Sequence, residues 1–248
     1  MSYALKGKCS LKSIKVKGIV LKSTDSKEKD KLLYIFTLEK GLLLAKIKGV
    51  KNANAKLKIF SQPFCVAEFI LADKNGFYTI TNCDVIETFF DVTKDYDKYI
   101  NACMLLDALR SSVILVQGSE KQAFVALLKA LRELTYSAAD VILVVIKFMS
   151  DLARICGYKI DSSFCSMCGE EMEQIYLNLD DYSFCCTQCK PYNCEEFDKA
   201  AYKLLSLIEN TDYDRLSSLK INGLTSTIAY TFIKKYIEKN LMISLLKC

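Results

Sequence analysis

No histidine occurs anywhere in these 248 residues, and only two prolines do. The first absence removes an imidazole general base and any triad built on one. It also excludes HExxH-type metal hydrolysis, so a bound metal must be held without imidazole. The second leaves no proline-rich linker, because Pro63 and Pro191 stand alone. No GxxxxGK[ST] phosphate loop is present, which argues against ATP hydrolysis of that type. The longest strongly apolar stretch, Val141 to Ile146, is interrupted by Lys147. It falls far short of the ~20 apolar residues a membrane-spanning helix needs, so no membrane partner is expected. Internal repeats and low-complexity tracts are also lacking. Glu28 and Asp30 pair acids in a lysine-rich segment and read as surface ion pairs rather than as a catalytic couple.

What the chain does have is cysteine, twelve in all. The opening residues, Met1 to Lys8, lack a sustained apolar core, so the thiols are expected in a reducing cytosol rather than in a disulfide framework. Four of them form two C-x-x-C pairs, Cys165–Cys168 and Cys186–Cys189, separated by 17 residues. Each pair sets two sulfurs on one small loop, and two such knuckles close a tetrahedral cage. The expected cofactor is one structural Zn2+ per chain, because four thiolates leave no open position to activate water. Cys185 competes with Cys186 for the third ligand position, and Cys156 and Cys194 are weaker candidates. An iron–sulfur cluster also takes four cysteines, but two knuckles at this separation fit zinc better. Residues 165–198 carry eight acids and one base, Lys190. So acidic a finger would be repelled by phosphate, and it is expected to brace the fold or meet a protein.

Charge is uneven along the chain. Residues 1–60 hold 15 lysines against four acids, a net of +11 within a total of +5. Two readings are open: a polyanion partner, nucleic acid being the commonest, or a solvated lysine-rich surface. The candidate DNA-binding residues are Lys15, Lys17, Lys22, Lys46, Lys48, Lys51, Lys56 and Lys58. Phe36, Phe60 and Phe64 either stack on bases or fill a core.

Period-two alternation predicts strands over Ile14–Leu21, Leu32–Thr37, Leu42–Ile47, Phe64–Leu71 and Phe77–Ile86. Glu39-Lys40-Gly41 and Asn75-Gly76 are hairpin signals, the latter of type I′. Five short strands suggest a small barrel, either an OB-fold or an SH3-like one. From about residue 93 the period becomes helical. Ser119 and Asp140 are candidate N-caps, and Gly157 a C-terminal cap. The apolar helix from Val141 to Cys156 reads as a bundle centre. Further helices are predicted over Glu195–Ile208 and Thr225–Leu246.

The order of these parts resembles the bacterial DNA repair and recombination-mediator family RecO. The likeness rests on Lys17-Gly18-Ile19-Val20-Leu21 with Glu28, Asp30, Leu32, Leu33, Phe36-Thr37 and Gly41. It continues through Lys48-Gly49-Val50-Lys51 with Lys56, which is similar to a basic loop of the family. Cys156-Gly157-Tyr158 leading into Cys165-Ser166-Met167-Cys168-Gly169, and the closing Phe232–Leu246 segment, complete it. The sequence departs at Asp181-Tyr182-Ser183, where the family has a Gly-Gly, and in using lysine without arginine through residue 60.

The resemblance implies an α+β chain. Residues 1–90 would be a basic, DNA-binding OB-fold β-barrel, and 91–248 an all-α helical domain with an inserted four-cysteine zinc finger at about 160–195. It implies a non-enzymatic, cytoplasmic, nucleoid-associated protein of the RecF pathway. Such a protein binds single- and double-stranded DNA, anneals complementary strands, and with RecR helps load RecA onto strands coated by single-strand-binding protein. It also contacts the tail of that coat protein. The competing expectation is a zinc-braced protein-interaction or transcription-regulatory module without annealing activity. A weaker one is a thiol redox protein.

Overall fold

A computed structural model describes residues 12–26, 29–50, 55–160 and 164–245. The chain divides into two compact units, residues 1–88 and 89–248.

The first unit is a closed barrel of five strands: β1 (Lys12–Asp25), β2 (Lys31–Thr37), β3 (Gly41–Ile47), β4 (Cys65–Lys74) and β5 (Phe77–Thr88). Around the barrel the order is β1-β2-β3-β5-β4. All seams are antiparallel except β3–β5, which is parallel and pairs only Ala45 with Tyr78 and Lys46 with Thr79. Alternation drives the pattern: Leu33, Ile35, Leu43, Ala45, Ile47, Phe69 and Leu71 are buried, with polar or half-exposed residues between them. On β1 the register with β2 shifts between Val20 and Lys22, a bulge that lets this long strand serve both β2 and β4.

Both predicted hairpins form. Thr37 opposes Gly41, which takes φ +64, and the Thr37 hydroxyl donates to the Gly41 carbonyl at 2.8 Å. Asn75 and Gly76 take φ +56 and +84, the two left-handed positions a type I′ turn demands. A short helix, α1 (Ala55–Phe60), joins β3 to β4, a stretch whose residues carry no helical period. Phe36, Phe60 and Phe64 are all buried, so packing and not base stacking accounts for them.

Gly18 on β1 faces Thr37 on β2 with no room for a side chain. A Cβ there would meet Ile35 Cγ2 at 2.6 Å and the Phe36 carbonyl at 3.0 Å. Gly18→Ala is therefore expected to destabilise the barrel by about 1–3 kcal/mol, read as a lower urea midpoint with an unchanged m-value.

The second unit is helical: α2 (Tyr96–Ser111), α3 (Glu120–Tyr136), α4 (Val141–Ile155), α5 (Lys199–Glu209) and α6 (Gly223–Asn240). Asp140 caps α4, accepting from the Ile142 N–H at 2.8 Å, and Gly157 turns the chain at φ +87. Ser119 occupies the N-cap position of α3 but its side chain makes no capping bond. α4 is buried from Leu143 to Ala153 and packs against α2, α3, α5 and α6, so it is the bundle centre. Its one buried cation, Lys147, donates to the Glu209 carbonyl at 3.0 Å and lies 3.4 Å from Asp151, which offsets the cost of burial. Among the described residues no helix is long and apolar enough to cross a membrane.

Two helix boundaries differ from expectation. Residues 194–196 are a strand, not helix, because they pair with Tyr176–Asn178. Asp198 then caps α5 through the Ala201 N–H at 2.7 Å, and the helix starts at Lys199. The last helix stops at Asn240 rather than 246: Met242 takes φ +52, and the Leu245 N–H turns back to the Glu238 carboxylate at 3.1 Å.

Candidate functional site

Between α4 and α5, among the described residues, the chain forms only three tiny strands, β6 (Tyr176–Asn178), β7 (Phe184–Cys185) and β8 (Cys194–Glu196), in the order β7-β6-β8. Two turns flank this sheet. In the first, the Gly169 N–H returns to the Cys165 carbonyl at 2.9 Å with Gly169 at φ +75. In the second, the Cys189 N–H reaches the Cys186 carbonyl at 3.2 Å. The Ser166 N–H donates to the Phe184 carbonyl at 2.9 Å and ties the first turn to β7.

These turns bring Cys165, Cys168, Cys186 and Cys189 together, with all four sulfurs within 4.8 Å of one another. Cys168 Sγ and Cys186 Sγ are 3.9 Å apart. A tetrahedron with metal–sulfur bonds of about 2.3 Å has edges of roughly 3.8 Å, so the set fits a single small cation. Cys185 is not among the four: it lies one step back along β7, with its Sγ 3.4 Å from the Tyr176 carbonyl. Cys156 and Cys194 also stay outside the group.

Burial pushes the Cys165 thiol up, but the backbone N–H groups of Cys168, Cys186 and Met167 pull it down further, to about 6. Next to it, hydrogen bonding with Cys186 and Cys168 pushes Cys189 up to about 12. One thiolate is thus favoured and a second is opposed until a cation arrives. By contrast Cys65 and Cys83, buried in the barrel, are pushed up to about 11 and about 12 by desolvation and are poor nucleophiles at neutral pH.

An aromatic cluster that sequence reading missed holds the small sheet in place. The Phe184 ring lies 5.1 Å from Phe197, 5.0 Å from Tyr202 and 5.0 Å from Phe232. These rings belong to β7, the β8–α5 link, α5 and α6, so the cage is seated on the bundle through Phe184. Its signal was present as four aromatics in the finger and its neighbouring helices.

The barrel lysines fall into two groups. Lys15 and Lys17 are exposed on the half of β1 that pairs with β4. Lys15 is held 2.7 Å from Glu68, whose hydrogen bond and charge raise its pKa, and the Lys17 N–H donates to Glu39. Lys22 lies past the bulge, opposite Tyr34 on β2. Lys46 is 2.8 Å from Asp30, and the other oxygen of Asp30 accepts from the Gly49 N–H at 2.9 Å, with Gly49 at φ +66. That carboxylate fixes the loop carrying exposed Lys48. Lys58 is exposed in the last turn of α1. Lys17, Lys22, Lys48 and Lys58 join no ion pair among the described residues. Lys51 lies outside the described residues, and only the backbone of Lys56, in α1, is described. Beside Lys48 a cleft of about 540 Å³ opens between Ile47, Ile59, Phe60 and Val85.

Comparison with known proteins gives these features a setting. Residues 11–89 match the family described as Recombination protein O N terminal, and residues 93–247 match Recombination protein O C terminal. The chain is 29% identical over 238 residues to the DNA repair protein RecO of Caldicellulosiruptor saccharolyticus, covering 94% of this chain and 97% of that protein. It is 25% identical over 231 residues to the RecO of Clostridium novyi, covering 93% and 90%. It is 26% identical over 234 residues to that of Acetivibrio thermocellus, covering 92% and 93%. With both halves matched in order, the chain belongs to the recombination protein O family of DNA repair proteins.

Proposed function

We propose that this protein is a non-enzymatic mediator of DNA repair and homologous recombination that binds single- and double-stranded DNA and anneals complementary strands. In this reading it works with RecR to load RecA onto strands coated by single-strand-binding protein, whose tail it contacts, and it acts in the cytoplasm at the nucleoid. The observation that carries it is the five-stranded barrel, closed in the order β1-β2-β3-β5-β4, with exposed lysines that join no ion pair among the described residues. That order, with a parallel β3–β5 closure, supports an OB-fold over an SH3-like barrel, and OB-folds bind oligonucleotides on this kind of surface.

Annealing makes no covalent bond, so it asks for no acid, base or nucleophile. Lysines that neutralise phosphates release counterions and let two polyanions approach. The four clustered thiols hold one Zn2+ as a structural ion: they are four soft donors around one position, and every position is filled. The acidic residues around the cage turn that face towards proteins rather than DNA.

The test is annealing of complementary oligonucleotides precoated with single-strand-binding protein, with and without RecR. Acceleration over the protein-free rate is expected. Absence of annealing, together with salt-insensitive binding to random single strands, would favour the zinc-braced interaction or regulatory module instead.

A further inference from the structure

Four residues that are far apart in sequence line up across the outside of the barrel. Lys22 on β1 is the register partner of Tyr34 on β2, and Tyr34 is the partner of Leu44 on β3. The parallel β3–β5 seam pairs Ala45 with Tyr78 and Lys46 with Thr79, so one residue back along both strands stand Leu44 and Phe77. Alternation sets the face: Leu33, Ile35, Leu43 and Ala45 are buried, as is Ile80 on β5, which puts Tyr34, Leu44 and Phe77 outward. Leu44 is 45% exposed and Phe77 80%, with Tyr34 half-buried between its neighbours. The result is a stripe running lysine, tyrosine, leucine, phenylalanine.

An 80%-exposed phenylalanine on a strand has no role in the barrel's own core. Its backbone is nonetheless fixed. Phe77 opens β5 and pairs with Lys74 across the Asn75-Gly76 turn, and Asp73 braces that turn by accepting the Gly76 N–H at 2.8 Å. A ring offered from a rigid hairpin loses little entropy on binding. Cations stand at both ends of the stripe, Lys22 at one and Lys74 at the other, both exposed. Aromatic rings between lysines match a polyanion that carries flat apolar groups.

Resting on the DNA-binding reading above, we propose that Tyr34 and Phe77 form a base-stacking platform for single-stranded nucleic acid, with Lys22 and Lys74 holding the phosphates on either side. Adjacent strands lie about 4.8 Å apart, so the two rings, two strands apart, are separated by roughly 10 Å and serve different bases. In a duplex the base faces are stacked on one another and unavailable. The lysines therefore grip either form, while the rings prefer the unpaired one. Stacking one base on an aromatic side chain strengthens binding by roughly tenfold or more.

The experiment is fluorescence anisotropy with three probes of one length: an oligothymidine, an abasic strand and a duplex. The wild type is expected to bind oligothymidine at least tenfold more tightly than the abasic strand. Phe77→Ala should lose about tenfold on oligothymidine and nothing on the other two probes. Tyr34→Ala should behave likewise, whereas Tyr34→Phe, which keeps the ring, should retain affinity. Thermal melts confirm that each variant folds. Equal wild-type affinity for base-bearing and abasic strands, or an equal loss on all three probes, overturns the platform while leaving phosphate binding intact. Failure of the wild type to bind any probe overturns the platform and the DNA-binding reading together.

Discussion

Exchanging Cys165 and Cys186 together for serine is expected to abolish zinc binding and unfold the segment around residues 164–198, while Cys185→Ser leaves one zinc per chain. The reason is that, apart from the packing around Phe184 and a few buried residues such as Ile175 and Leu177, this segment has little else to hold it. Its strands are three, two and three residues long, and its buried cluster consists of cysteines with Met172 and Tyr176 packed against it. Structural zinc supplies roughly 10–16 kcal/mol of apparent folding energy in small peptides at neutral pH, far more than such a sheet provides alone. The damage should reach further than the cage. Phe184 sits on the same two-residue strand as Cys185 and packs on Phe197, Tyr202 and Phe232, so losing the cage removes a ring from the surface of α5 and α6. Removing such a ring costs about 3–5 kcal/mol, which lowers the melting temperature of the helical unit by roughly 10 °C. Metal analysis, limited proteolysis and a thermal melt read the three effects. A double-serine variant that still carries stoichiometric zinc, or melts like the wild type, would show that these sulfurs are not the ligands.

The second large effect is on DNA. Lys22→Glu with Lys48→Glu should weaken single-strand binding by about 10- to 100-fold at low salt and flatten the plot of log affinity against log salt. Each phosphate contact on a single strand contributes a slope of about 0.7, so losing two should cut the slope by roughly 1.4. Lys15→Gln is the informative control. Lys15 already faces Glu68 at 2.7 Å, so its charge is largely spent locally and its removal should change the slope little. Anisotropy titrations across a salt series decide the matter. An unchanged slope in the double variant would remove this surface from the DNA-binding account, and a Lys15 variant as defective as the double one would show that its pairing with Glu68 does not keep it from DNA.

The contrast between those lysines shows where sequence reading stops. The clustering of Cys165, Cys168, Cys186 and Cys189 was legible because it is written in local spacing: two C-x-x-C turns suffice. Asp140, Gly157 and Asn75-Gly76 were legible for the same reason, since a cap or a tight turn is decided within a few residues. The pairing of Lys15 with Glu68 and of Lys46 with Asp30 was not, because it depends on which strands become neighbours and in what register, β1 with β4 for the first and β2 with β3 for the second. The Tyr34–Phe77 alignment was hidden likewise, requiring two seams to be known at once. Glu195 and Glu196 looked helical because they precede a helical period, yet the neighbouring strand recruited them. The six residues of α1 carry too short a pattern to register. Spacing favoured Cys186 over its neighbour Cys185, because only Cys186 completes a C-x-x-C pair, and the geometry of β7 places Cys185 outside the group.

The barrel is laced by seven or more paired positions along four of its seams and by only two along the fifth, between β3 and β5. Thermal breathing must concentrate where the stitching is thinnest. Leu44 and Phe77 sit astride that line, one on each lip. A guest lying across both lips would bind them as a clasp, so occupancy and the slowing of amide exchange along this edge should rise together.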